Sequence, residues 1–265
     1  MAVASPSQLH AVGQFYRHFP QVSDDEVARC LAAGSPTEAP PGDDPPLRDG
    51  EVTIPVGATS VVGRLVVPEE PLGLVVFAHG SGSGMHSPRN RLVASVLNEA
   101  RLATLLLDLL TPEDEQDRAF VFDVELLGRR LTAASAWARE LPEVSGRPVG
   151  YFGASTGAAA ALWAATESRA GIAAVVSRGG RPDLAERRLG LVSAPTLLLV
   201  GERDPVVLGL NRAAESRMRC ERSLVVVPGA SHLFVEPGAL EIVCREARGW
   251  FVRHFAATPA PAASR

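Results

Sequence analysis

The chain has 265 residues, of which 46% are apolar and 5% aromatic, and its formal net charge is −4. This length suits one α/β domain with a buried sheet and is short for two domains with separate cores. The 26 lysine-plus-arginine positions are all arginine, which excludes enzymes that need a lysine Schiff base or a P-loop lysine. The mixed charges form no basic stripe, so we expect no nucleic-acid partner.

The amino-terminal residues carry neither a basic start followed by an apolar stretch nor a small-residue cleavage site, so we expect a cytoplasmic protein. The apolar runs are shorter than the roughly 20 residues of a membrane span, so we expect no membrane association. Three scattered cysteines fit neither a disulfide framework nor a zinc cluster: Cys30, Cys220 and Cys244. We therefore expect no metal and no cofactor.

The first part of the chain differs in character from the rest, and we predict that residues 1–47 form a helical segment followed by a proline-rich linker. The S-D-D-E pattern at Ser23–Glu26 fits a capping box at a helix start. The prolines of residues 35–47 exclude regular helix and ladder pairing. The main domain is predicted over residues 48–257, with a disordered tail at 258–265.

Eight apolar runs predict eight strands, near residues 51–56, 61–67, 72–79, 102–110, 149–155, 172–177, 195–201 and 223–229. The later runs are unbroken, which is typical of strands covered on both faces in a mostly parallel sheet. Helices are predicted between them, near 88–100, 121–141, 156–168, 208–220 and 238–255. The stretch between the sixth and seventh runs is too short for a large cap domain.

A nucleophile motif follows the fifth predicted strand directly. Residues Gly153–Gly157 read G-A-S-T-G and lead into an alanine-rich helix. This is the nucleophile-elbow pattern, in which glycines two positions before and after the serine leave room for closely packed backbone. Ser155 is therefore the candidate nucleophile, and an ordinary strand-to-helix turn is the alternative.

The candidate acid and base follow later in the chain. Asp204 comes after the seventh predicted strand, at the strand end where ligands gather in open α/β sheets. Glu202 is the alternative acid, and Asp204 could instead cap a turn before Pro205. His232 lies in the loop after the last predicted strand, and the order Ser155, Asp204, His232 fits a catalytic triad.

A glycine-rich loop predicts one side of an oxyanion hole. Residues Phe77–Gly84 read F-A-H-G-S-G-S-G and follow the third predicted strand. A backbone N–H from this loop and the N–H of the residue after the nucleophile, Thr156, are the expected donors. Within the loop we choose Ser81, with Gly82 next, and a structural turn is the alternative.

Two further residues are candidate substrate contacts. His86 lies just past the glycine-rich loop and is either a pocket residue or a surface residue. Arg178 follows the sixth strand and could hold a carboxylate with two hydrogen bonds or form a structural ion pair. His79, by contrast, is expected to be a buried orienting group bonded to backbone.

Five blocks of sequence resemble the dienelactone-hydrolase-like branch of the α/β-hydrolases, in the right order over residues 50–255: HGSGSGMHSPRNR, GYFGASTG, VVSRGGRPDL, PTLLLVGERD and VVPGASHLF. The resemblance implies an α/β-hydrolase fold with a mostly parallel sheet of about eight strands and helices on both faces. True dienelactone hydrolases carry cysteine where this chain has Ser155, which implies a different pocket chemistry. Residues 7–34 are also similar to the C-terminal end of bacterial phosphoribosyltransferase domains.

These features predict a serine hydrolase that cleaves a small soluble ester or lactone through Ser155, His232 and Asp204. The expected partner is the small-molecule substrate, and the sequence leaves the oligomeric state open. Acyl transfer, thioester cleavage and peptide cleavage through the same triad are alternatives. A domain that keeps the triad without turnover, as a scaffold, is another, because fold alone does not determine function.

Overall fold

The structure is a computed structural model that describes residues 46–167 and 170–258. The predicted capping box at Ser23–Glu26, nearly all of the predicted linker and the tail from residue 259 lie outside the described residues. Within the described ranges, no helix has the length and apolar character needed to cross a bilayer.

Eight strands form one sheet, as the apolar runs predict. They are β1 (Arg48–Val56), β2 (Thr59–Val67), β3 (Gly73–Ala78), β4 (Leu102–Leu107), β5 (Val149–Ala154), β6 (Ile172–Arg178), β7 (Thr196–Gly201) and β8 (Arg222–Val227). Their order across the sheet is β1-β2-β4-β3-β5-β6-β7-β8. The first two strands pair antiparallel, β2 pairs antiparallel with β4, and all later pairs are parallel.

Helices cover both faces of this sheet. They are α1 (Pro88–Glu99), α2 (Arg118–Val121), α3 (Val124–Arg139), α4 (Thr156–Ala164), α5 (Pro205–Arg217) and α6 (Ala239–Ala256). Helices α1 and α6 pack on one face, and α3, α4 and part of α5 pack on the other. The predicted α/β-hydrolase fold with a mostly parallel sheet is thus confirmed.

Successive side chains of the central strands belong alternately to two apolar cores, one on each face of the sheet. In β3, Leu74 and Val76 pack toward α3 and α4, whereas Val75 and Phe77 pack toward α1 and α6. Successive side chains of a strand point to opposite faces, so a strand covered on both sides must be apolar at every position. This rule explains the unbroken Val/Leu runs.

The main differences from the predicted helices lie where aspartates stop or start a helix. The predicted helix at 121–141 is present as α3, which begins at Val124, and it is preceded by the short helix α2 and a 3-10 turn at Asp114–Gln116. Asp117 caps α2 by accepting from Ala119 N at 2.8 Å, and Asp123 caps α3 by accepting from Leu126 N at 2.9 Å. Side-chain capping of the first turn favours a new helix start over one continuous helix.

The stretch between β6 and β7 is also more ordered than predicted. A kinked 3-10 helix at Pro182–Leu191 lies there and contacts α4 and α5. It is too short to close over the sheet edge, so no large cap domain is present in the described residues.

Leu105 tests the packing of the core. It is fully buried in β4, and Leu105→Ala should lower the free energy of unfolding by about 3 kcal/mol through lost burial and a residual cavity. Leu191→Ala is the matched control, because that side chain is 67% exposed. Urea unfolding followed by circular dichroism measures both. Equal effects of the two substitutions would contradict the described core.

Candidate active site

Ser155 lies on a strained turn between β5 and α4. Its backbone has φ 50° and ψ −119°, a conformation that costs free energy for a residue with a side chain. The turn is held because Ser155 N donates to Arg178 O at 3.1 Å, while Ser155 O accepts from Arg181 N at 3.1 Å. The side chain is half-buried at the carboxyl edge of the sheet.

The two glycines of the motif allow backbone to approach this turn closely. A Cβ at Gly153 would lie 2.4 Å from Ala158 Cα, and one at Gly157 would lie 2.2 Å from Ala78 O and 2.3 Å from His79 O. These distances are far below any normal carbon contact. Both glycines are therefore required by packing, as the motif predicts.

His79 anchors the glycine-rich loop to the end of β4. Leu109 N donates to its Nε2 at 2.9 Å, so the ring proton is on Nδ1, which donates to Gly80 O at 2.9 Å. The ring is buried, with 6% of the residue exposed. The expectation of a buried orienting histidine bonded to backbone agrees with this geometry.

The loop end is fixed by a second contact that we did not predict. Asp108, directly after β4, accepts from Met85 N at 2.7 Å through Oδ1, and a Cβ at Gly84 would lie 2.6 Å from the same oxygen. A carboxylate at the carboxyl end of a strand was a usable signal, because such positions face the ligand side of parallel sheets.

The two expected oxyanion donors lie next to each other. Ser81 N donates to the side-chain Oγ1 of Thr156 at 3.0 Å, so the loop and the first turn of α4 are in direct contact. A Cβ at Gly80 would lie 3.1 Å from Ser155 Cβ, so the loop lies directly against Ser155. Helix N–H groups at the start of α4 favour negative charge at this point.

His232 and Asp204 form a hydrogen-bonded pair. His232 Nδ1 lies 2.7 Å from Asp204 Oδ2, and only 4% of Asp204 is exposed. Asp204 Oδ1 also accepts from Val207 N at 3.3 Å, so the residue caps α5 as well. The proposed carboxylate role and the alternative capping role are both visible in the geometry. Glu202, the alternative acid, instead accepts from Gly229 N at 2.7 Å.

The imidazole lies at the same sheet edge as Ser155. A Cβ at Gly179 would lie 3.5 Å from His232 Cε1, and the preceding residue, Arg178, accepts the hydrogen bond from Ser155 N. Within the described residues no hydrogen bond joins Ser155 Oγ to the ring. In free enzymes such bonds are often long or poorly aligned and tighten only with substrate bound.

The loop that carries His232, residues 228–232, is braced by side chains that we did not predict. Arg203 Nε donates to Gly229 O at 2.6 Å, and Arg203 N donates to Ala230 O at 2.9 Å. The contact from Gly229 N to Glu202 adds a third bond. The residues just before Asp204 therefore hold the loop of its partner histidine.

Glu236 completes this brace from the other side. It accepts from Ser231 N at 2.9 Å, and its second oxygen lies 4.0 Å from the Arg203 guanidinium. Burial favours a higher pKa, but the hydrogen bonds from Ser231 and the charge of Arg203 outweigh it and leave the pKa of Glu236 below its ordinary value. Nothing in the sequence around Glu236 identified it.

A cleft of about 440 Å³ is lined in part by Ser81 and Thr156, the two expected oxyanion donors. His86, Asp108 and Glu115 supply polar wall positions, and the apolar wall consists of Leu110, Val121 and Leu127. His86 is exposed there and is in close contact with Arg91. Within residues 46–167 and 170–258, no cluster of three or more His, Cys, Asp or Glu side chains could hold a metal ion.

Arg178 lies outside the lining of this cleft. Its guanidinium is 5.9 Å from the Phe152 ring centroid on the α1 and α6 face, and Nη1 has no hydrogen-bond partner. Burial, with the nearby charge of Arg89, lowers the pKa of Arg178 to about 9. Among residues 46–167 and 170–258, no carboxylate forms an ion pair with Arg178, and its substrate role stays a prediction.

Comparison with known proteins places this chain in a family. A family model described as Dienelactone hydrolase family matches residues 111–250, which is 140 of the 265 residues. The chain belongs to the dienelactone hydrolase family. The matched range contains Ser155, Asp204 and His232, whereas the glycine-rich loop lies before it.

Solved structures agree with this family membership. A dienelactone hydrolase from Anabaena variabilis is 49% identical and superposes with a TM-score of 0.76, over 78% of this chain and 98% of the other. Est1E from Butyrivibrio proteoclasticus, 18% identical with a TM-score of 0.67 over 78% and 99% of the two chains, shares the fold.

A longer relative comes from Mycobacterium tuberculosis and bears the provisional name phosphoribosyl transferase. It is 55% identical to this family member over 259 residues, which are 96% of this chain and 58% of the relative. The chain therefore spans little more than half the length of that protein. A serine nucleophile remains a prediction, as does the relation of residues 7–34 to the end of a phosphoribosyltransferase domain.

Gly157 tests the close approach at the elbow. Gly157→Ala should destabilise the fold by several kcal/mol, on the order of an overpacked core position, because its Cβ would meet two backbone carbonyls that have no free space to move. Gly209→Ala in α5 is the matched control, since a Cβ there meets nothing within 4 Å. Melting temperatures measure both, and the control should be unchanged or slightly raised. An unchanged melting temperature for Gly157→Ala would contradict the described turn.

Glu236 tests the brace. Glu236→Ala should lower kcat on an ester substrate about tenfold with KM little changed, because a misplaced imidazole reacts poorly even when substrate binds. Glu236→Gln keeps an acceptor for Ser231 N and should lose less.

Glu241→Ala, at an exposed position in the first turn of α6, is the matched control and should keep wild-type kcat. The Glu236 pKa is lowered, so the carboxylate is charged at neutral pH and its contribution should disappear only as the pH falls through that lowered value. Equal kcat in Glu236→Ala and wild type would rule out the positioning role.

Proposed function

We propose that this member of the dienelactone hydrolase family is a serine hydrolase that cleaves a small, soluble carboxylic ester or lactone. Ser155 is the nucleophile, His232 the general base and acid, and Asp204 the carboxylate that orients the imidazole. The observation that carries the proposal is the 2.7 Å contact between His232 Nδ1 and Asp204 Oδ2 at the sheet edge where Ser155 occupies its strained turn.

The first half of the proposed reaction forms an acyl-enzyme. Asp204 accepts from Nδ1–H, which leaves Nε2 free to take the Ser155 hydroxyl proton as Oγ attacks the carbonyl carbon. The carbonyl electron pair moves onto oxygen, and the N–H groups of Ser81 and Thr156 stabilise that charge. When the pair returns, the bond to the alcohol oxygen breaks and the alcohol leaves with the proton from His232.

The second half uses water in the place of the alcohol. His232 takes a proton from water, whose oxygen attacks the acyl carbon, and the same amides stabilise the oxyanion. Collapse breaks the bond to Ser155 Oγ, which recovers its proton from His232, and the acid is released. With a lactone, the alcohol and the acid are two ends of one product.

The cleft supports a small substrate. Its volume of about 440 Å³ lies toward the lower end of sites for drug-sized ligands, and no cap domain in the described residues extends it. Leu110, Val121 and Leu127 are its large aliphatic lining side chains, and so small an apolar set favours a short acyl chain over a lipid. We propose His86, at the rim, as a substrate contact. A cytoplasmic location stays a prediction.

Ser155 and His232 provide the test of this function. Ser155→Ala should abolish hydrolysis of p-nitrophenyl acetate and labelling by a fluorophosphonate probe, with the melting temperature nearly unchanged. His232→Ala should lose about as much activity, because members of a triad act as a unit. Replacement of Glu140, an exposed residue at the end of α3, by Ala is the control and should keep full activity.

The same assays separate the alternatives. Persistence of ester hydrolysis in Ser155→Ala would refute the proposed nucleophile. A wild-type protein that is neither labelled nor active would indicate a scaffold. Product analysis with added alcohols or thiols identifies an acyltransferase if the acceptor outcompetes water.

A further inference from the structure

The side chain of Thr156 occupies a special position beside the nucleophile. Thr156 directly follows Ser155, begins α4, lines the cleft and is only 3% exposed. Its Oγ1 accepts the hydrogen bond from Ser81 N at 3.0 Å. One of the two amides assigned to the oxyanion hole is therefore already bonded to a hydroxyl in the free protein.

This hydroxyl has a proton left to give. A threonine hydroxyl has one donor and two acceptor lone pairs, and the Ser81 N–H uses a lone pair. Within residues 46–167 and 170–258, the structure shows no hydrogen bond donated by Thr156 Oγ1. The O–H group is free to rotate toward an acceptor that enters the cleft.

We propose that the Thr156 hydroxyl donates to the substrate oxygen in the oxyanion hole, in place of direct donation by Ser81 N and beside the backbone N–H of Thr156. The inference rests on the proposed function. Donation from Ser81 N polarises the hydroxyl and strengthens the hydrogen bond that it gives to the substrate oxygen, because successive hydrogen bonds reinforce one another. The O–H bond stays intact throughout, and the negative charge stays on the substrate oxygen.

The same contact could have the opposite effect and block Ser81 N from the substrate. For Ser81 to bind the oxyanion alone, the Thr156 side chain would have to rotate away. Thr156 is β-branched, buried and in the first turn of a helix, which restricts its χ1 angle. Because the Thr156 side chain is held in place while its O–H bond can still rotate, donation to the substrate oxygen is favoured over rotation of the side chain out of the way.

Valine and serine at position 156 test the proposal. Thr156→Val keeps the shape and removes the hydroxyl, and it should lower kcat at least tenfold with KM nearly unchanged, since loss of one oxyanion donor typically costs about 100-fold or more. Thr156→Ser returns the hydroxyl and should recover most of the loss. Thr132→Val, the same change in α3, is the matched control, because Thr132 does not line the cleft and its hydroxyl donates to Gly128 O in its own helix.

A transition-state analogue gives the decisive readout. A trifluoromethyl ketone forms a tetrahedral adduct with an activated serine, and its inhibition constant should rise across the Thr156 variants in parallel with the fall in kcat/KM. If Thr156 had only a structural role, the variants would instead have lower melting temperatures, and the inhibition constant would not change in proportion to kcat/KM. Equal or higher kcat in Thr156→Val, with Ser155→Ala inactive, would overturn donation by the Thr156 hydroxyl and leave the proposed function standing. Activity that survives in Ser155→Ala would refute both.

Discussion

The close approach between the first turn of α4 and the end of β3 is the contact on which the rest of the site depends. Gly157 lies against the carbonyl oxygens of Ala78 and His79, where even a methyl group has no space. This packing holds Ser155 at φ 50°. It also places the glycine-rich loop that follows β3 beside Ser155. The strain at Ser155 persists because sheet and helix packing determine the backbone on both sides.

The Ser155 turn and the His232 loop are held in place by different kinds of interaction. The turn that carries Ser155 is held by apolar strands and by backbone contacts. These pack so closely that the backbone cannot shift. The His232 side rests on a loop whose backbone polar groups are bonded by the side chains of Glu202, Arg203 and Glu236. Polar braces of this kind fix a loop without burying it.

The comparisons relate this architecture to known proteins. The Anabaena variabilis dienelactone hydrolase matches the chain over nearly its own full length, at 49% identity. The Mycobacterium tuberculosis relative is longer, and this chain matches 58% of it. All of the residues of the proposed triad lie in the range that the family model matches. A substrate shared with these proteins is a matter for experiment, because one fold supports many reactions.

The amino-acid sequence by itself determined the eight strands, the doubly covered sheet and the glycine spacing at Ser155, because burial and backbone packing leave local patterns that can be read along the chain. It also indicated Asp204 as the candidate acid, because this residue follows β7 at the carboxyl end of the strand, with Glu202 as the alternative. The brace of the His232 loop through Arg203 and Glu236 and the contact between Ser81 and Thr156 were decided by tertiary structure. Each joins groups through distances and angles that depend on how separate elements pack, and a hydrogen bond between distant residues leaves no periodic trace in the sequence.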